Sequence, residues 1–291
     1  MDLVYRFDPF QPLVHSTPRT VEEALESMRL GNERFVAFVR HMQRATLGQT
    51  IDEQIIVPVS PVSLGLPLLS GGAVTQAPFG LVLGCSDARV PVEHIFDLAF
   101  NSLFVIRIAG NVLGTECVAS VDYAARNFSE SLKFIAVLGH SSCGAVTAAV
   151  DTYMRPGDYS GIACTYALRS LVDRLQIAVR GAAHSLKLQG PADLERHPQY
   201  REMLIAAAVY LNAAITSFDL RRELRALENS QHDVIFGVFD LESQLVRGLP
   251  ETSELADPAP VFLSAPQSAD ELMAISTSIA RGVLAKVVGS R

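Results

Sequence analysis

The chain has 291 residues, 49% hydrophobic and 19% charged, with a formal net charge of −7. That much apolar material can bury a large core, which excludes a disordered chain, and the absence of a basic stripe excludes a nucleic-acid partner. Four cysteines (Cys85, Cys117, Cys143, Cys164) and a start, Met1-Asp-Leu-Val-Tyr5, without the basic and apolar regions of a secretory signal point to a reducing, cytoplasmic setting.

From Val21 to about His41, apolar residues at helical spacing (Ala24, Leu25, Met28, Leu30, Phe35, Val36, Phe38, Val39) predict an amphipathic helix or helix pair, with Thr20 as its cap. The stretch from Gln54 to Ser86 carries no charge and would pass a hydropathy test for a membrane span. Pro58, Pro61, Pro67 and Pro78, with Gly65, Gly71 and Gly72, would break such a helix repeatedly and leave backbone groups that lipid cannot satisfy. It reads instead as an extended arm packed on protein, with no membrane span. Beyond it, Phe79–Gly84, Leu103–Ile108, Lys133–Gly139 and Asp233–Phe239 read as strands apolar on both faces. Helical patterns cover about Thr115–Phe128, Cys143–Tyr153, Ala167–Val179 and Tyr200–Leu227, which gives an α/β fold with a mostly parallel central sheet flanked by helices. Gln244–Gly248 would return as a hairpin on the sheet edge. A Pro-rich linker (Pro250, Pro258, Pro260, Pro266) then leads to a last helix over about Ala269–Val288. Three segments follow from this: 1–77, a helix and Pro-rich arm packing on a partner subunit; 78–249, the catalytic core; and 250–291, linker and C-terminal helix.

In an open parallel sheet, ligands bind at the carboxyl ends of the strands. Two predicted strands end in metal-ligand types, one running into Cys85 and the other into His140, with Cys143 three residues on. Two thiolates and one imidazole suit zinc, and three ligands leave a position open, as in catalytic rather than structural zinc sites. Cys143 would sit near a helix N-terminus, where free amides favour thiolate. Asp87 could orient a water at the open position, with Arg89 holding Asp87 ionised by a bidentate pair. A lone cysteine after a strand is more often inert core, and Asp-x-Arg alone is commonly a surface pair. All three elements at successive strand ends outweigh these bland readings. Arg107 reads as the partner of a buried acid rather than an anion contact, Cys117 and Cys164 as core thiols, and His94 as a surface or packed histidine rather than a proton shuttle.

The runs "CSDARV", "FVIRIAGN" and "HSSCGAV", in this order, resemble the β-class carbonic anhydrases, and the likeness extends from about Leu30-Gly-Asn-Glu-Arg-Phe35 to about Val246. The resemblance implies Zn2+ on Cys85, His140 and Cys143, the catalytic dyad Asp87 and Arg89, and reversible hydration of carbon dioxide to bicarbonate and a proton by zinc-hydroxide attack. It further implies a carbon dioxide pocket lined by Gln76, Phe104 and Tyr123, the plant-like arrangement, with Gly144 also touching substrate. Val82 stands where the other type carries a tryptophan for an allosteric bicarbonate site, and the chain has no tryptophan. A homodimer or higher even-numbered homo-oligomer, with active sites built from two chains, is implied as well. Ala88, Ile108, Asn101-Ser102 and Ser243-Gln244 depart from the family's usual residues, and none removes a ligand. Hydrolysis of carbonyl sulfide or carbon disulfide on the same zinc, and a non-catalytic zinc-stabilised scaffold, are the rival readings. The arm and the segment after Pro250 lie outside the family pattern and receive no assigned role, a subunit contact being preferred over a second activity.

Overall fold

The computed structural model describes residues 2–7, 17–49, 54–59, 75–226, 232–250 and 260–288. At the N-terminus, β1 (Asp2–Phe7) and α1 (Val21–Thr46) precede β2 (Gln54–Val59), and β1 and β2 pair in parallel as a small separate sheet. Residues 60–74, most of the uncharged arm, and the linker residues 251–259 lie outside the described residues.

The main sheet is built on β3 (Gly80–Gly84), β4 (Leu103–Arg107), β5 (Phe134–His140) and β6 (Asp233–Phe239), all parallel in the order β4-β3-β5-β6. Two short strands, β7 (Val246–Arg247) and β8 (Leu263–Ser264), pair antiparallel with β6. The expected hairpin return is therefore present. The strands are apolar on both sides because both faces are covered. Leu81, Leu83, Ile135, Val137, Val234, Phe236 and Val238 point into one core, while Val82, Phe134, Ala136, Leu138, Ile235 and Phe239 point into the other. The second core is closed by α1 and α2 (Val92–Ile95). The first is closed by α3 (Thr115–Asn127), α4 (Gly144–Met154) and, after the single turn α5 (Tyr159–Ile162), by α6 (Tyr166–Gln189), α7 (Tyr200–Ala226) and α8 (Ala269–Val288).

Thr20 caps α1 by accepting from the Glu23 amide at 3.2 Å. The helix docks through Gly31, where a Cβ would stand 1.8 Å from the Phe96 carbonyl oxygen, so only glycine permits the approach. Beside it, buried Asn32 donates Nδ2 to the carbonyls of Ile95 (3.1 Å) and Gln244 (3.0 Å) and accepts from the Val246 amide (2.9 Å). This one side chain ties α1 to two loops at the end of the sheet. At the other terminus α8 packs on α6 and α7 of its own chain, with Ser185 and Ser276 hydroxyls 2.7 Å apart in the interior. α8 thus contributes Ile279, Ala280, Val283 and Leu284 to the chain's own core.

Two expectations need correction. α6 runs on to Gln189 rather than ending near Val179, because Gly181 does not break it: a Cβ there would lie 2.8 Å from the Leu211 side chain, so the glycine serves a close approach to α7. Cys164 is not a core thiol. It is exposed in the turn between α5 and α6, outside both layers, whereas Cys117 is buried as expected. Among the described residues one helix, α7, is long and apolar enough to cross a membrane, and 72% of its apolar window is buried in this fold.

Candidate metal centre and active site

Parallel strands bring their carboxyl ends to one side of the sheet. Gly84, the last residue of β3, is in register with Leu138 of β5, so Cys85 leaves the sheet beside the end of β5, where His140 is the final strand residue. The chain then turns through Ser142, whose φ of 55° lies in the left-handed region, and enters α4 with Cys143 as its N-cap. The turn folds Cys143 back onto the strand ends. Its Sγ lies 3.9 Å from that of Cys85, and both sulfurs and a ring nitrogen of His140 lie within 4.8 Å of one another, all three residues buried. This group can hold a metal ion.

Hydrogen bonds and burial set the state of each donor. The Cys85 sulfur accepts a hydrogen bond from the Gly110 amide at 3.3 Å. Hydrogen bonding from the Cys143 thiol, helped by the amides of Asp87 and Gly110, lowers the Cys85 pKa to about 4 against the opposing effect of burial. Cys143 is pushed up, first by its contact with Cys85 and then by burial, while the α4 amides of Ala145 and Val146 act the other way. His140 donates Nδ1–H to the Ser141 carbonyl at 3.0 Å, which leaves the lone pair on Nε2. That Nε2 is buried and has no hydrogen-bond partner among the described residues.

Asp87 stands at the edge of this group, its Oδ2 3.8 Å from His140 Nε2. Arg89 grips it bidentately, Nε to Oδ1 at 2.9 Å and Nη2 to Oδ2 at 2.7 Å, and adds its own amide to Oδ1 at 2.9 Å. The Arg89 guanidinium, above all, holds the Asp87 carboxyl well below the usual carboxylate range, so Asp87 is an acceptor at any physiological pH. Arg89 also reaches the Ser142 carbonyl at 3.4 Å, which joins the loop after β3 to the turn before α4. Gly144, next to Cys143, is exposed, and a Cβ there would meet nothing within 4 Å.

The structure brings together Cys85, Asp87, Arg89, His140, Cys143 and Gly144. It does not bring Gln76, Phe104 or Tyr123 to them within one chain. Phe104 is in register with Leu81, four residues before Cys85, which is about 13 Å along the strand from the ligands. Tyr123 is 53% exposed and packs on Phe104, their ring centres 6.4 Å apart. Gln76 is exposed in the segment entering β3, which Asn101 pins by bonds to Thr75 and Ala77. His94 is exposed on α2. Among the described residues Arg107 has no acidic partner of the kind its sequence suggests: its guanidinium donates to the backbone carbonyls of Cys85 (2.9 Å) and Asp87. Nothing in the sequence marks the roles of the Gly110 amide, of Asn212, whose Nδ2 fixes the Gly110 carbonyl at 2.8 Å, or of Asn111, whose buried Nδ2 has no partner among the described residues. The run Ile108-Ala-Gly-Asn111 marks the loop, yet what each residue touches is not encoded in spacing.

Fold and site together define a parallel α/β protein carrying a buried two-cysteine, one-histidine metal site at its strand ends. The sequence profile of the carbonic anhydrase family matches residues 80–243, and the chain belongs to that family, in its β class. It is 33% identical over 159 residues to carbonic anhydrase 2 of Mycobacterium tuberculosis, the match covering 54% of this chain and 63% of the relative. With a carbonic anhydrase of Pseudomonas aeruginosa the identity is 30%, over 62% of this chain and 77% of the relative. Among solved structures, a β-carbonic anhydrase of Aspergillus fumigatus is similar at 23% identity, over 70% of this chain and 84% of the other, with a TM-score of 0.47. The chain thus spans less than two thirds of the length of the mycobacterial relative.

Proposed function

We propose that this protein catalyses the reversible hydration of carbon dioxide to bicarbonate and a proton, with zinc held by Cys85, His140 and Cys143. The observation that carries this reading is the buried His140 Nε2, unpartnered yet facing two sulfurs and the carboxylate of Asp87. An orphaned buried acceptor is costly unless something binds it. The donor set fits zinc: sulfurs on a tetrahedral zinc stand about 3.8 Å apart, against 3.9 Å here. Three protein donors leave room for a fourth, exchangeable one.

Zinc bound there supplies Lewis-acid activation of a water molecule. The chain's own residues do the rest. Asp87, kept ionised by Arg89, accepts a hydrogen bond at Oδ2 and so turns the water's lone pair toward the substrate carbon. Its lowered pKa makes it a poor proton store, so the released proton passes to solvent and buffer. The empty Cβ position at Gly144 keeps the approach beside Cys143 open to a small linear molecule.

The rest of the pocket would come from a second copy of the chain, in a homodimer or higher even-numbered assembly. Gln76, Phe104 and Tyr123 form no wall around their own chain's ligands, and an exposed Tyr123 on a half-buried Phe104 suits a surface that meets a partner. In this reading residues 78–249 are the zinc-binding core, which α1, expected to pack on the partner, instead closes within its own chain through Ala24, Met28 and Asn32. Free thiols at Cys85, Cys117, Cys143 and Cys164 fit a reducing compartment, the cytoplasm. Stopped-flow carbon dioxide hydration across pH, on protein whose zinc is measured in the same batch, tests the proposal. Activity rising through an alkaline ionisation with one zinc per chain supports it. Full zinc without hydration at any pH defeats it and directs attention to carbonyl sulfide and carbon disulfide.

A further inference from the structure

The segment that carries Cys85 and Asp87 leaves β3 as a loop, so something must fix it where the ladder stops. Two backbone bonds extend the pairing beyond the strand end: the Ile108 amide donates to the Gly84 carbonyl at 3.0 Å, and the Ser86 amide to the Ile108 carbonyl at 3.3 Å. These leave the carbonyls of Cys85 and Asp87. Arg107, the last residue of β4 and the partner of Gly84 in register, takes both, with Nε on Cys85 O at 2.9 Å and Nη2 on Asp87 O. One planar fork therefore spans the carbonyl of a ligand and the carbonyl of the residue whose carboxylate faces the site.

We propose that Arg107 is a positioning residue of the metal centre, setting the separation and direction of the Cys85 sulfur and the Asp87 carboxylate through the backbone between them. The proposal rests on the hydration reading only for its effect on turnover. The guanidinium is suited to this by shape: two donors in fixed relation grip two carbonyls at once, which a lysine ammonium cannot reproduce without giving up the orientation. Asp87 O also accepts from the Val90 amide at 3.0 Å, so the turn over Asp87–Val90 survives without Arg107. What is lost is the tie between that turn and Cys85. The carboxylate then keeps its partner Arg89 but not its place relative to the sulfurs.

The test uses the zinc-loaded, full-length protein with Arg107→Lys and Arg107→Ala, each checked for zinc content and thermal midpoint. Zinc release to a chromophoric chelator is timed, and kcat and KM for carbon dioxide hydration are measured, with and without millimolar methylguanidinium. Outer partners of metal ligands typically change affinity or activity about 10- to 100-fold. Both variants are expected to release zinc at least about ten-fold faster and to lose kcat about ten-fold or more, with KM within about two-fold, and methylguanidinium should restore part of both in Arg107→Ala. Wild-type release and kcat in Arg107→Lys would overturn the proposal, because charge alone would then suffice. A lowered thermal midpoint with unchanged zinc release would overturn it too, leaving only a structural role. If the wild-type protein itself does not hydrate carbon dioxide, the hydration reading fails while the zinc-release comparison still decides the role of Arg107.

Discussion

Replacing Asn32 by alanine should detach α1 from the sheet end, and the structure sets the scale. The substitution strips the Ile95 and Gln244 carbonyls and the Val246 amide of their partner in a place where Asn32 itself is 1% exposed. A lost hydrogen bond costs about 1 kcal/mol, and a buried group left unsatisfied about 1–3 kcal/mol. Three such groups give a loss of about 3 kcal/mol at the least, a large part of a total stability of roughly 5–15 kcal/mol. At about 2 °C per kcal/mol for a chain of this size, the thermal midpoint should fall by about 6 °C or more. Asn32→Asp separates hydrogen bonding from volume. It keeps the acceptor for Val246 but turns a carboxylate oxygen toward two carbonyls, so it should be at least as damaging at neutral pH. Denaturant and thermal unfolding at one fixed protein concentration and metal load is the assay, since assembly and metal both shift the midpoint. A loss below about 0.5 kcal/mol in either variant, the range of an ordinary surface change, would refute the claim that this amide holds α1 in place.

Asp87→Ala should lower carbon dioxide hydration by roughly two orders of magnitude or more with zinc content unchanged, the usual scale of orientation and acid-base effects; activity near wild type would remove Asp87 from the mechanism. Gly144→Val should place side-chain carbons in the open space beside Cys143 and slow hydration while leaving the thermal midpoint nearly unchanged, since nothing packs there; equal kinetics would show that substrate does not pass this way. Asp151 is held below its ordinary pKa by Arg201, at 2.7 and 2.9 Å, so the pair's stabilisation is present above the unfolded carboxyl pKa and is lost as pH falls through the lowered native value. Asp151→Asn should therefore destabilise at pH 7 and converge with wild type in acid, and parallel unfolding curves across pH would contradict the pairing.

The part of the fold legible in sequence is the part governed by two-sided burial. β3, β5 and β6 are apolar on both faces; the patterns of β3 and β6 end where the strands do and that of β5 one residue before His140, which is why Cys85 and His140 could be placed at strand ends. Cys143 as the N-cap of α4 follows from a helix pattern beginning just after it. What sequence spacing does not carry is which distant group a side chain meets. Arg107 pairs with two carbonyls rather than an acid, and Asn32 closes bonds to residues 63 to 214 positions away. The helical pattern read over Ala167–Val179 stops short of the observed end at Gln189, and Gly181, inside the helix, makes room for the Leu211 side chain. Cys164 reads as core because cysteine usually is, but it is exposed in the turn between α5 and α6. Gln76, Phe104 and Tyr123 are visible as residues of the right kind, but one chain does not bring them to the ligands.

The central claim is that the chemistry depends on one zinc at Cys85, His140 and Cys143. The most direct test strips the metal with a chelator and follows carbon dioxide hydration as zinc is added back, beside a His140→Ala control. Activity should climb linearly to a break at one zinc per chain, and the control should stay flat. Activity that survives metal removal, or that returns equally in His140→Ala, would contradict the account.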